Sequence, residues 1–117
     1  MHKDFKKAHK YFKARFLAPL RRCLDPESEW ANRIEIHEVK FFAMNTITDS
    51  PWYVLIRFTD KKHQVTRFES FIFFGMHEDV HRLHFTKMWY ALNDFVNDIE
   101  DMERAAARLK ERLENEE

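Results

Sequence analysis

From Phe85 to Leu113 apolar residues recur alternately three and four positions apart: Phe85, Met88, Leu92, Phe95, Ile99, Met102, Ala106, Leu109 and Leu113. On an α-helix such spacing collects side chains into one narrow stripe, and from Asp94 onward charges fill most positions between them. That is the pattern of a long helix whose seam seeks a partner. Residues 77–113 as one helix run roughly 55 Å, whereas a globule of this chain length is about 35 Å across. The last four turns therefore overhang unless another chain covers them. Phe95, Ile99, Met102, Ala106, Leu109 and Leu113 are the candidate interface, and a coiled-coil-like homodimer is the expected assembly.

The apolar face of this helix is broader in its first half, where Leu83, Trp89 and Val96 join the seam, and a broad face suits packing on a sheet. Upstream, Phe5, His9, Phe12 and Phe16 mark an amphipathic helix over 3–17, which Pro19 should interrupt because a proline lacks the N–H and crowds the preceding turn. Asp25-Pro26 offers a cap for one more helical turn up to Trp30. The period then changes. Ile34 and Ile36 alternate with polar neighbours, and Val39 and Phe41 continue on the opposite parity, which predicts a strand with a bulge near Glu38. Residues 45–51 form a polar connection. Trp52–Thr59 is nearly continuous β-branched and aromatic sequence, as expected of a central strand covered on both faces. Asp60-Lys61-Lys62-His63 links it to a third strand over 64–74, and the final helix begins near Met76, after Gly75. The expected fold is α+β, in the order αβββα: an N-terminal helix, a three-stranded antiparallel sheet and a long protruding C-terminal helix. One domain spans 1–117, with a body over 1–97 and an acidic helical tail over 98–117.

With 117 residues, the chain can bury about 65% of its unfolded surface, an adequate core that association would help. It has one glycine and twelve phenylalanines, a composition favouring long regular elements and large burial per residue. The single Cys23 excludes an intrachain disulfide; its apolar surroundings predict a buried thiol. No apolar run reaches 18 residues and no leader pattern opens the chain, so neither a membrane span nor a secretory signal is expected and the cytoplasm is the expected compartment. Net charge is zero but unevenly spread. Residues 1–24 hold eight Lys or Arg against Asp4 alone, and residues 94–117 hold nine acids against four bases. Such asymmetry points to a nucleic-acid patch or to head-to-tail pairing.

Candidate chemistry is sparse. His77-Glu78-Asp79-Val80-His81 matches H-E-x-x-H, in which two imidazoles one turn apart hold zinc and the carboxylate acts as base. Over these five residues the chain resembles the zincin metalloproteases, which implies a metal-dependent hydrolase. A third ligand is needed, and Glu100 and Glu103 lie roughly 30 Å further along the same helix. His84 extends the cluster to His77, His81 and His84, a candidate transition-metal patch with His37 or His63. Lys3, Lys6, Lys7, Lys10 and Lys13 line the first helix, and the order of elements is similar to that of double-stranded-RNA-binding domains, which implies contact with phosphates. The second helix of that family starts basic, where this chain has His-Glu-Asp. The aromatics Phe41, Phe42, Trp52, Tyr53, Phe58, Phe68, Phe71, Phe73 and Phe74 could stack bases if exposed, but most are expected in the core. Both parities of the third strand are apolar, so one sheet face should need cover from a partner or ligand. Nucleophilic triads and glycine-rich phosphate loops are absent. The expected function is non-enzymatic and cofactor-free: a small homodimeric adaptor or regulator that binds another macromolecule. A nucleic-acid-associated factor is the alternative and a metal hydrolase the third reading. In the expected dimer two seams run antiparallel, carrying each acidic tail toward the partner's basic helix.

Overall fold

The computed structural model describes residues 5–43, 52–73 and 78–116, with 78–81 as helical backbone. The elements are α1 (Phe5–Phe12), a π-helical stretch (Lys13–Leu17), α2 (Ala18–Arg22), α3 (Trp30–Arg33), β1 (Ile34–Ala43), β2 (Trp52–Asp60), β3 (Val65–Phe73) and α4 (Glu78–Asn115). The strands form one antiparallel sheet in the order β1-β2-β3. The fold is the α+β αβββα arrangement.

Pro19 does not end the first helix. The chain stays helical from Phe5 to Arg22 by widening over Lys13–Leu17, where the Ala18 N–H reaches back five residues to the Lys13 carbonyl. In that register the carbonyl four residues before the proline no longer faces its ring, and the missing N–H is not required. Asp25 does not cap a helix directly. Its carboxylate accepts the Glu27 N–H (3.0 Å) and its carbonyl the Ser28 N–H (2.9 Å), a turn that delays the helical residues until Trp30. Cys23, expected to be buried, is exposed: it follows the last residue of α2, where the chain leaves the helix for the turn at Asp25, beyond the fully buried Leu20.

The bulge is where the parity change places it. Glu38 pairs with Ile56 and Lys40 with Leu55, so Val39 is the extra residue. Before it Ile34 and Ile36 face the helices, and after it Phe41 does. On β2 the helix-facing set is Trp52, Val54, Ile56, Phe58 and Asp60, all buried, while Tyr53, Leu55, Arg57 and Thr59 alternate with them half-buried. The expected cover on both faces of β2 is thus present on one. The core is an aromatic stack: Phe41 lies on Phe12 (centroids 5.2 Å apart) and Trp52 (5.6 Å), Phe16 meets Phe71 (5.1 Å), and Phe58 meets Phe95 (6.0 Å). Large rings bury much area per residue, so a short chain can close a core with few residues.

α4 is one helix of 38 residues, roughly 57 Å long. Met88, Leu92, Phe95 and Ile99 are buried on the body. The radius of gyration of 18.1 Å and extents of 67 × 29 × 21 Å exceed the roughly 13 Å radius of a compact chain of this size, because the end of α4 stands clear of the sheet. No helix among the described residues is long and apolar enough to cross a membrane.

Candidate functional site

The seam of α4 divides sharply. Phe95 and Ile99, placed with the interface by their spacing, are 1% and 2% exposed inside the chain's own core. Met102, Leu109 and Leu113 are 43%, 57% and 57% exposed, and Ala106 between them is exposed too. The four share one stripe and have no cover from the described residues. Leu83, counted with the sheet-packing face by its position, is 71% exposed instead, and Trp89 is 38% exposed; Val96 packs on the core.

What fixes the point of departure is a polar clamp that the sequence did not announce. Asp60, at the end of β2, is completely buried. Arg33 grips it with two hydrogen bonds of 3.2 Å, through Nε and an Nη, and also donates to Glu103 Oε1 (2.8 Å). His63 places its backbone N–H on Asp60 (3.3 Å) and its Nε2 2.8 Å from Glu103 Oε1. The Arg33 guanidinium stacks 4.3 Å over Trp30, whose indole N–H donates to Glu100 (3.1 Å). A buried carboxylate must be paired to be tolerated, and here the pairing ties α3, the β2–β3 turn and α4 together at Glu103. Hydrogen bonding by His63 and then by Arg33 holds the Glu103 carboxyl below the usual range. Burial opposes the charge on Arg33, but its bonds to Asp60 and Glu103 outweigh this and raise its pKa. The signal available in the sequence was Asp60 falling on the apolar parity of β2.

The basic residues lie elsewhere. Lys6, Lys7, Lys10 and Lys13 are exposed along the N-terminal helical segment, and Lys3 lies outside the described residues. Phe16 meets Phe85 (6.1 Å), so this helix ends beside the start of α4, and Met102 is about 25 Å further along. The lysines at the base of the overhang are Lys61 and Lys62. An overlapping antiparallel tail would reach those, and not the basic helix.

Among the described histidines, His37 and His63 do not approach His84. His77 lies outside the described residues, as does the side chain of His81. His84 packs on Phe71 and Phe73 (5.2 and 5.8 Å between centroids) on the helical side of the sheet. His37 is on the opposite side, 2.8 Å from Glu35, and His63 is in the clamp. The sheet therefore stands between His84 and His37, and the length of the body lies between His84 and His63. Among the described residues no three His, Cys, Asp or Glu side chains converge on a metal position.

The open face of the sheet sorts the aromatics. Phe41, Trp52, Phe58, Phe71 and Phe73 are core; Phe74 lies outside the described residues. Phe42, Tyr53 and Phe68 point the other way, Phe68 being 58% exposed. Phe42 and Tyr53 are cross-strand neighbours with centroids 5.1 Å apart, and Lys40 Nζ sits 4.7 Å over Phe42. No described element lies over this face. Neither a family model, nor a curated protein, nor a solved structure matches this chain.

Proposed function

We propose that the protein is a non-catalytic interaction module, a small adaptor or regulator that self-associates through the overhang of α4. The observation that carries this reading is the exposed stripe of Met102, Ala106, Leu109 and Leu113 on a helix whose preceding seam is already filled. The partner proposed is a second copy, running antiparallel. In that direction Met102 of one chain packs on Leu113 of the other, and Ala106 on Leu109, small against large in successive layers. The flanking positions then bring Glu103 opposite Lys110 in both directions, whereas a parallel pair would set Glu103 against Asp98 and leave Lys110 facing Ala105. The sheet fills the stripe above Met102, so the incoming helix stops there. Its Glu114 and Glu116 arrive at Lys61 and Lys62, which are exposed. Exposed ion pairs contribute about 0–1 kcal/mol each and set direction; each apolar side chain fully withdrawn from water contributes about 1.5–3 kcal/mol and sets affinity. Reducing cytoplasm suits the lone exposed Cys23.

Sedimentation velocity at tens of micromolar tests the reading. The protein should run as a dimer, and Leu109→Asp with Leu113→Asp should run as a monomer with the near-UV signature of the aromatic core unchanged. A monomeric wild-type protein would refute self-association and leave a foreign helix as the partner of the seam.

A further inference from the structure

The sheet face away from the helices has a chemical order of its own. β2 runs down its middle with Tyr53, Leu55, Arg57 and Thr59. The rows across the sheet are Phe42–Tyr53–Ile72, Lys40–Leu55–Ser70, His37–Arg57–Phe68 and Glu35–Thr59–Thr66. Phe42 and Tyr53 thus lie one row from Lys40, and Phe68 lies in the row of Arg57, Tyr53 and Phe68 being separated by about four residues of strand, roughly 13 Å. The cations are not spent within the face. Among the described residues Arg57 Nε is buried without a hydrogen-bond partner, and Lys40 Nζ is placed against the Phe42 ring and in no ion pair. The one carboxylate among the described residues of this face, Glu35, is already engaged by His37 (2.8 Å) and Lys61 (3.6 Å).

This composition selects among occupants. A second copy laid face to face would set Lys40 and Arg57 against the same cations. An acidic protein segment would answer the charge but leave no reason for exposed rings flanking it. Single-stranded nucleic acid answers both, because unpaired bases stack on aromatic faces irrespective of sequence while the backbone presents one anion per residue. We infer that this sheet face binds single-stranded nucleic acid, with bases stacked on Tyr53 and Phe68 and phosphates held by Lys40 and Arg57. The site is independent of the α4 overhang and stands or falls separately from dimer formation. It also differs from the lysine row of α1, which lies on the helical side of the sheet.

Anisotropy with labelled oligouridine and oligothymidine of about 16 nucleotides, and with a duplex of equal length, tests it. Both single strands should bind, and the duplex at least tenfold more weakly. Phe68 is exposed, so Phe68→Ser should fold normally; loss of one stacked base should weaken binding by about fivefold to hundredfold. Arg57→Gln should weaken it as well. Two phosphate contacts make affinity fall by only about sevenfold between 50 and 200 mM salt. Lys6→Glu with Lys7→Glu and Lys10→Glu should leave affinity within twofold. The inference is overturned if neither strand binds at hundreds of micromolar protein, if the lysine variant abolishes binding while Phe68→Ser does not change it, or if polyglutamate competes as well as unlabelled oligouridine.

Discussion

The two halves of α4 carry the same heptad pattern on the same unbroken helix, yet one half is core and the other is surface. Between Ile99, 2% exposed, and Met102, 43% exposed, less than one turn separates a side chain packed in the core from one largely in water. The local sequence marks that boundary only coarsely, by the narrowing of the apolar face in the second half of the helix; its place is set where the sheet ends, at the Asp60–Arg33–Glu103 clamp. A seam records that a helix wants cover, and the elements that happen to lie beside it decide which stretch is supplied from within the chain.

If the comparison is right, the largest effects fall on the buried half. Phe95→Ala should cost about 3–5 kcal/mol in urea denaturation, whereas Leu109→Ala should shift the unfolding of the dilute monomer by less than about 0.5 kcal/mol. Similar losses would show that the overhang packs on the body. Breaking the boundary itself should be nearly as damaging: Arg33→Met leaves the Asp60 carboxylate buried and unpaired, at a cost of about 3–5 kcal/mol, while Arg104→Met, next to Glu103 in sequence but exposed and outside the clamp, should be close to neutral.

Cysteine crosslinking sharpens the comparison on the exposed half. In a Cys23→Ser background, Ala106→Cys and Leu109→Cys proteins should form a mixed disulfide when combined and little disulfide alone, since antiparallel packing places these two positions together. Efficient self-crosslinking of Ala106→Cys would mean a parallel dimer.

The pH dependence should be modest and one-sided. Glu103 is held down by its bonds from His63 and Arg33, and Glu35 by its bond to His37 and by Lys61. A carboxyl whose folded pKa lies below its unfolded one binds fewer protons when folded, so its contribution is complete above the unfolded value of about 4.3 and is lost as pH falls through the folded value. Stability should therefore drop on acidification below that point, with a shallower drop in Glu103→Gln; equal slopes in the two proteins would remove Glu103 from the account. Smallest of all, Glu114→Lys with Glu116→Lys should weaken the dimer less than tenfold at low salt and have no effect at high salt, where exposed pairs are screened.

Much of the architecture is legible in particular residues. The parity switch at Val39, the β-rich run Trp52–Thr59 and the stripe from Phe85 to Leu113 each report an element type directly, because period 2 and period 3.6 are properties of the backbone alone. The passage through Pro19 was not legible: whether a helix breaks or widens there depends on Phe16 and Leu20 both being anchored in the core on either side of it. The clamp was hidden because its members, Trp30, Arg33, Asp60, His63 and Glu103, are ordinary surface residues in any short window. That His37 and His63 stand apart from His84 was likewise not legible, because the sheet and the length of the body between them are set by residues distant in sequence.

By itself, then, the chain's pattern of apolar residues determined the kinds of element, their order, the bulge and the existence of an overhang, since these follow from local period and from length against diameter. Tertiary structure decided which aromatics are core and which face outward, where along α4 the cover stops, and that Cys23 is exposed. Those outcomes turn on which distant residues share a layer, and burial is a property of neighbours that no single segment contains.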